Sequence, residues 1–386
     1  MAGGSGDGYE TSAGRAGQKM AEQGQGAPGW RIAIVGGGIV GLSAAVCIKN
    51  SFTSSEVVLL ADRFSPNTTA DNAAAMVSPP KVGFAVDSNP SSVRWFNESY
   101  DHFRKIGCSP DAVEAGVMLA FGYTLDRSPG PWFYQDTVLG WRLVAEEERQ
   151  LMNLPDLKTW MFYGTFVVNC RQYLPWLMRQ FTDKGGVVVR RKIDSLQGLF
   201  SEFDVVVNCS GLGARELTQD TSLQPAWGQG RLVEAPWIKY FVVADVGTLN
   251  TEQLQPNDRC SNEYEVISSL QIIPRADGVY VGGVKVRGKG EGPVEPHYRA
   301  VVRQVTEAVM PTLSSASVLK EWTGVRPMRR SVRLCVEEFT QESGIQKCVI
   351  HNYGHSGSGV TLSWGCALEV TSLVKDILLK CATVKD

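Results

Sequence analysis

Residues 31–41 read RIAIVGGGIVG, and they restrict the possible folds of this chain more than any other segment. The first five residues form an apolar run of strand length, which is typical of a strand buried on both faces. Glycines at positions 36, 38 and 41 match the GxGxxG pattern, which permits a tight turn, close backbone approach to a pyrophosphate, and tight helix–strand packing. A helical apolar segment, Leu42–Ile48, and a second strand, Glu56–Leu60, follow. The sequence therefore predicts a dinucleotide-binding βαβ unit.

Asp62 supports this interpretation, because it follows the second strand directly. A carboxylate at that point can accept a hydrogen bond from a ribose hydroxyl. The pattern by itself does not distinguish NAD from FAD.

The composition is that of an ordinary globular protein. The 386 residues suffice for two packed domains, and 43% are hydrophobic and 20% charged. The 38 basic and 40 acidic residues give a net charge of -2. Because the chain has no excess of positive charge, we expect neither a nucleic-acid partner nor an anionic membrane partner. The nine cysteines form no CxxC pair, so we predict no metal site and no disulfide framework.

The compartment is predicted to be intracellular, either cytoplasmic or peroxisomal. Residues 1–29 lack an apolar stretch and are expected to form a disordered leader. The sequence contains no apolar run of about 18 residues, so we predict no membrane-spanning helix. The last residues, Thr383–Asp386, lack a clear peroxisomal signal.

Periodicity in the rest of the chain predicts helices and two sheets. Trp95, Phe96, Tyr100 and Phe103 have helical spacing and are interpreted as packing residues. Further segments are expected to form a helix (Tyr173–Met178), parallel strands (Gly186–Val189, Asp204–Asn208), antiparallel strands of a second sheet (Val279–Val284, Ser331–Val336) and a final helix (368–379). The polar residues 243–268 indicate either a lid or a tolerated insertion.

Several segments resemble the D-amino acid oxidase and D-aspartate oxidase family, and they occur in the family's order. They are Asp62–Asp71, Ala73–Met76, Asp136–Gly140, Val206–Gly211, Ala235–Trp237, Thr323–Pro327 and Asn352–His355. Two others, Leu174–Leu177 and Ser210–Arg215, are nearer to the D-aspartate oxidases.

The resemblance implies an α/β fold. A Rossmann-type FAD-binding domain would be interleaved with an α+β substrate domain built on a mostly antiparallel sheet. We expect residues 30–90, 185–225 and 320–386 to build the FAD-binding domain, and residues 91–184 and 226–319 to build the substrate domain.

The resemblance also implies the residues of the site. Those expected to bind FAD are Gly36, Gly38, Ile39, Val40, Gly41, Asp62, Arg63, Thr68, Thr69, Met76, Ile193, Ser210, Ser356, Gly357, Gly359, Val360 and Thr361. Arg326 and Gly357 are expected to be catalytic, and Arg326, Gln271, Lys285 and Gly357 to bind the substrate.

The implied reaction depends on positioning. Arg326 would clamp the α-carboxylate of an amino acid, since a planar guanidinium suits a carboxylate. The Gly357 carbonyl would accept from the amine, and His355 is expected to have a structural hydrogen-bonding role. The family passes electrons from the substrate through FAD to dioxygen, giving hydrogen peroxide, ammonia and a 2-oxo acid.

Three departures from the family make the substrate range less certain than FAD binding. Gln271 replaces a tyrosine that assists the carboxylate clamp, although its amide could donate instead. Trp227 replaces an arginine, and the segment between Tyr240 and Gln271 is longer than usual.

Lys285 indicates acidic substrates, because the D-aspartate oxidases carry an arginine at the matching position. The predicted strand would direct Lys285 towards the substrate, unless the side chain simply projects into solvent, and Arg287 is an alternative cation. The other functions that the sequence leaves open are oxidation of neutral D-amino acids or a secondary amine, and flavin binding without turnover. The sequence predicts no oligomeric state.

Overall fold

The structure is a computed structural model that describes residues 29–82, 85–125, 132–152, 154, 159–245, 269–341 and 343–383. Almost all of the predicted leader, and residues 246–268 of the predicted lid or insertion, lie outside the described residues. The strands are β1 (Arg31–Val35), β2 (Glu56–Ala61), β3 (Lys81–Val82), β4 (Ala85–Val86), β5 (Val117–Leu125), β6 (Leu139–Leu143), β7 (Trp160–Val168), β8 (Val187–Arg190), β9 (Val205–Asn208), β10 (Gln224–Glu234), β11 (Phe241–Asp245), β12 (Ser269–Arg275), β13 (Gly278–Gly282), β14 (Val286–Arg287), β15 (Ser317–Met328), β16 (Arg333–Thr340) and β17 (Gln346–Tyr353).

The α-helices are α1 (Ile39–Ser51), α2 (Pro90–Gly107), α3 (Ala112–Ala115), α4 (Glu146–Leu151), α5 (Cys170–Thr182), α6 (Ala214–Leu217), α7 (Pro296–Val309) and α8 (Gly359–Thr383). Helix α8 is longer than the predicted 368–379, since it begins at Gly359, directly after the turn formed by residues 355–358. None of the helices in the described ranges is long and apolar enough to cross a bilayer.

The first sheet has the strand order β16-β17-β9-β1-β2-β8. Strand β1 pairs in parallel with β2 on one side and with β9 on the other, and α1 connects β1 to β2. The predicted βαβ unit is therefore confirmed, and this sheet is the Rossmann-type layer of the predicted α/β fold.

One strand of this sheet was assigned wrongly from the sequence. The segment Ser331–Val336 was expected in the second sheet, but its strand, β16, pairs antiparallel with β17 at the edge of the first sheet. Alternating polarity predicts a strand with one buried face, and it does not say which sheet the strand joins.

The second sheet is mostly antiparallel and has the order β14-β10-β13-β12-β11-β5-β7-β6, with β15 paired to β10 as well. Strand β15 runs along β10 from Gln224↔Met328 to Glu234↔Ser317. Residues 320–328 thus belong to the second sheet, although we expected residues 320–386 to build the FAD-binding domain. The fold itself agrees with the predicted substrate layer.

The two sheets share one hydrophobic core. Ile34 of β1, Phe166 of β7 and Tyr280 of β13 lie in a single buried cluster, together with the aromatic face of α2. The four aromatic residues of α2 are all buried, which confirms their packing role. A second core, which includes Trp227, Val281 and Tyr298, lies between the other face of the second sheet and α7. The second sheet therefore has one face towards α7 and one towards the first sheet.

Candidate active site

The turn after β1 requires glycine at two positions. Gly36 has a φ of +122°, and a Cβ there would lie 2.3 Å from the Cys209 carbonyl oxygen. A Cβ on Gly41 would lie 1.9 Å from the Gly36 carbonyl oxygen. These contacts hold the start of α1 against β1 and β9.

Gly38 differs from its neighbours because its missing side chain leaves open space. No atom lies within 4 Å of the Cβ that a larger residue would carry. Gly38 is the N-cap of α1, so the unpaired N–H groups of Ile39 and the residues after it begin at this space. A helix N-terminus beside an open cradle suits a pyrophosphate, and FAD fits the residues present.

The predicted FAD residues collect at one edge of the first sheet. They follow the carboxyl ends of its strands, with Gly36 to Gly41 after β1, Asp62 and Arg63 after β2, Ile193 after β8, Ser210 after β9, and Ser356 and Gly357 after β17. In open α/β sheets, ligands bind at this edge. Asp62 and Arg63 are both exposed there.

The other predicted FAD residues lie where the two sheets meet. The Thr68 hydroxyl donates to the buried Asp71 carboxylate at 2.7 Å, and the Thr69 hydroxyl donates to the Val325 carbonyl of β15 at 3.3 Å. Met76 forms an isolated bridge to Val167 of β7. Residues 359–361 form the first turn of α8, where Val360 and Thr361 are buried. Their contact with FAD stays a prediction.

A chain of hydrogen bonds through the buried residues Asn208 and His351 supports Ser210 and was not predicted. The Ser210 hydroxyl donates to Asn208 at 2.6 Å, and the Asn208 amide lies 3.2 Å from His351 Nδ1. His351 Nε2 lies 2.7 Å from the Glu337 carboxylate, so Nε2 carries the proton and Nδ1 accepts from Asn208. Burial lowers the pKa of His351. Sequence reasoning missed this chain because its members come from three different strands.

The substrate side of the site is the face of the second sheet that carries Gly228, Gly230, Gly282 and Gly324, and we call it the glycine-cleared face. Gly228 pairs with Gly324, and Gly230 pairs with Gly282. Because side chains alternate along a strand, Arg326 projects from the same face as Gly324. A Cβ on Gly228 would lie only 2.3 Å from Arg326 Nη1, so the guanidinium lies directly over Gly228.

A hydrogen bond at one corner brings the two predicted catalytic residues together. The Ser356 N–H donates to the Pro327 carbonyl at 3.1 Å, and the Ser356 hydroxyl donates to the Arg329 carbonyl at 3.1 Å. Ser356 has a φ of +54°, which bends the turn before α8 back towards β15. Gly357 therefore follows a residue that is bound next to Arg326, and the position of its absent side chain is open.

His355 lies in the same turn but is buried. Its burial lowers the pKa of the imidazole to about 4, so the ring is neutral at physiological pH. Its Nε2 atom has no hydrogen-bond partner in the described part of the chain. The ring is thus buried and uncharged, and the hydrogen-bonding part of the role expected from the sequence stays a prediction.

Two substrate-site expectations change with the structure. Lys285 is half-buried, but it lies in an irregular segment between β13 and β14, where we expected a strand. Trp227 lies on the opposite face of β10, fully buried, with the Lys289 ammonium 4.1 Å from its ring centroid. Its replacement of the family arginine therefore alters the outer core and not the glycine-cleared face.

Gln271 lies on the same face of the second sheet as Gly282, and its contact with a substrate stays a prediction. It pairs with Gly282 and is partly exposed. By contrast, a cavity of about 430 Å³ near Phe121, Phe162 and Lys239 is lined by none of the predicted site residues, and we assign it no role.

The open space at Gly38 gives a direct test of the FAD site. A Gly38→Val variant should fold but lose the flavin, because a Cβ at this position meets no protein atom and the valine side chain occupies the cradle at the helix N-terminus. Absorbance of the purified protein, before and after FAD addition, measures this loss. Gly290→Val is the control, since it also enters space with no atom within 4 Å. Flavin retained at full stoichiometry in Gly38→Val would place the pyrophosphate elsewhere.

Two solved structures illustrate the fold that this chain shares with other oxidoreductases. Glycine oxidase from Geobacillus kaustophilus matches with a TM-score of 0.66 at 17% identity, covering 90% of this chain and 95% of that protein. L-proline dehydrogenase from P. horikoshii matches with a TM-score of 0.67 at 13% identity, covering 90% and 94%. These similarities show the fold.

Sequence comparison identifies the family. D-aspartate oxidase of Homo sapiens is 34% identical over 352 residues, which cover 90% of this chain and 95% of the human protein. The D-amino-acid oxidase of Rubrobacter xylanophilus is 32% identical and covers 89% and 95%. The profile of the FAD dependent oxidoreductase family, DAO, matches residues 31–373. The chain therefore belongs to the DAO family of FAD-dependent oxidoreductases, and FAD is its cofactor.

Proposed function

We propose that this chain oxidises D-amino acids, with a preference for the acidic substrates D-aspartate and D-glutamate. The products would be the 2-oxo acid, ammonia and hydrogen peroxide, with dioxygen as the electron acceptor. The observation that carries the proposal is the position of the Arg326 guanidinium over Gly228. It lies next to the hydrogen bond from the Ser356 N–H to the Pro327 carbonyl, which joins the turn before α8 to β15. The similarity to D-aspartate oxidase and D-amino-acid oxidase supports it.

Arg326 is suited to bind a carboxylate from a ligand. Within the described ranges, its guanidinium forms no hydrogen bond or ion pair with the protein. Arg326 is half-buried on the glycine-cleared face, where the absence of side chains leaves space for a small ligand to reach the guanidinium. A fork of N–H donors without an internal partner suits bidentate binding of an α-carboxylate.

The residues around the edge of the first sheet would hold FAD. The α1 N-terminus would bind the pyrophosphate, Asp62 would accept from a ribose hydroxyl, and the turn before α8 would contact the flavin end. When bound, FAD supplies the two-electron acceptor for oxidation of the carbon–nitrogen bond.

Positioning of the substrate is the main task of the protein groups. Arg326 would fix the carboxylate, and the Gly357 carbonyl would accept a hydrogen bond from the neutral amine. With both ends held, only one enantiomer directs its α-hydrogen towards the cofactor side. Burial lowers the pKa of His355 to about 4, so the ring is a weak base and its role would be to support the turn.

The acidic preference rests on two cations near Arg326. Arg287 and Arg326 both pair with Ala226, on opposite sides of β10, so the three residues share a row on the glycine-cleared face. Lys285 precedes Arg287 by two residues and is half-buried. A side-chain carboxylate extending from an α-carboxylate at Arg326 towards β14 would meet positive charge.

Replacement of Arg326 tests the carboxylate clamp. Arg326→Leu should lower kcat/KM for the best D-amino acid by about a hundredfold or more, because a hydrogen bond to a charged group is worth about 1.5–3 kcal/mol and misorientation adds to the loss. Peroxide release at fixed flavin content measures the effect. The matched control is Arg330→Leu, four residues along and exposed. Equal kcat/KM in both variants would remove Arg326 from the site.

Replacement of Lys285 tests the acidic preference. In Lys285→Met, the ratio of D-aspartate to D-alanine turnover should fall severalfold, since only the acidic substrate has a second carboxylate. Lys375→Met on the exposed side of α8 should leave the ratio unchanged. An unchanged ratio in Lys285→Met, or a preference of the unmodified enzyme for D-alanine, would favour neutral substrates instead.

A further inference from the structure

Tyr280 lies on the glycine-cleared face, next to Arg326. Its ring extends along β13 and covers two glycines that are paired across the sheet. A Cβ on Gly282 would lie 2.2 Å from the Tyr280 hydroxyl, and a Cβ on Gly230 would lie 2.8 Å from it. Two small residues are thus needed for the phenol to occupy this position.

The phenol extends towards the row of the sheet that carries Arg326. Tyr280 itself pairs with Leu232, and its hydroxyl reaches the next row, formed by Gly230 and Gly282. The following row contains Gly228, with the Arg326 guanidinium over it. Successive rows on one face of a strand are about 6.5–7 Å apart. A carboxylate between them can accept hydrogen bonds of about 2.8–3.0 Å from both sides.

The Tyr280 hydroxyl has no partner of its own. The side chain is only 2% exposed, yet no described residue forms a hydrogen bond with its oxygen. The hydroxyl oxygen is not among the enclosed side-chain atoms that lack a partner, so it reaches the open face, where a ligand can accept its hydrogen bond. Burial also raises the pKa of the phenol, which therefore stays protonated and able to donate at neutral pH.

Packing alone does not explain the hydroxyl. The ring contacts Trp322, with ring centroids 5.8 Å apart, and a phenylalanine would preserve that contact. What phenylalanine would lack is a donor beside the unpartnered guanidinium of Arg326.

We infer that Tyr280 donates its hydroxyl to the substrate carboxylate that Arg326 binds. This assignment rests on the proposed function, because it requires an amino acid carboxylate over Gly228. The assignment also explains how the carboxylate can keep a second donor although this chain has Gln271 where the family has a tyrosine. Gln271 pairs with Gly282, which lies under the phenol of Tyr280. The donor is supplied from β13, one strand away from the position where β12 carries the glutamine.

The test uses the FAD-loaded enzyme with Tyr280→Phe, which removes one oxygen and keeps the ring. Binding of succinate, a dicarboxylate without an amine, is followed through the flavin absorbance, and KM and kcat are measured for the best D-amino acid. Loss of a donor to a carboxylate should raise both the succinate Kd and KM on the order of tenfold to a hundredfold. The control is Tyr123→Phe. The Tyr123 ring lies in the core on the α7 side, its hydroxyl donates to Glu148 of α4, and the succinate Kd of this variant should be unchanged.

A rescue variant separates the hydroxyl from a general effect on folding. Adding Gln271→Tyr to Tyr280→Phe should lower Kd and KM again, because residue 271 lies beside the same glycine and can present a phenol to the same place. A succinate Kd and KM within twofold of the unmodified enzyme in Tyr280→Phe would overturn the assignment. In that case the D-amino acid turnover would persist, whereas failure of the proposed function would abolish turnover in the unmodified enzyme.

Discussion

Arg326 can lie over the second sheet only because Gly228 has no side chain. The Cβ of any other residue would be 2.3 Å from the guanidinium. The same condition recurs in the next row, where Gly230 and Gly282 make room for Tyr280. The glycines leave space above a sheet face that side chains would otherwise fill. The N–H groups of Arg326 and the hydroxyl of Tyr280 can therefore donate to a ligand in that space.

The position of this face relative to the cofactor edge depends on contacts at the end of β15. The Ser356 N–H donates to the Pro327 carbonyl, and Thr69 donates to Val325. These bonds join the turn before α8 and the segment after β2 to the strand that carries Arg326. The shared core, with residues from both sheets, makes the junction rigid. The FAD edge and the carboxylate donors are therefore parts of one packed unit.

The sequence predicts the FAD half of the site better than the substrate half. The βαβ unit and Asp62 follow from local spacing, because each element is contiguous in the chain. The sheet membership of β15 and β16 depends on pairing between distant segments, and alternation does not encode it. Tyr280 and the Ser210 to Glu337 chain were missed for the same reason. Trp227 shows the converse, since a departure at a motif position proved to lie on the other face of β10.

The central claim is that the glycine-cleared face positions one enantiomer of an amino acid beside FAD. Peroxide release from the FAD-loaded protein, measured with the D- and L-forms of aspartate, glutamate and alanine, tests it most directly. The account predicts peroxide from the D-enantiomers, fastest with D-aspartate or D-glutamate, and none from the L-enantiomers. Flavin-loaded protein that releases no peroxide with any D-amino acid would contradict it.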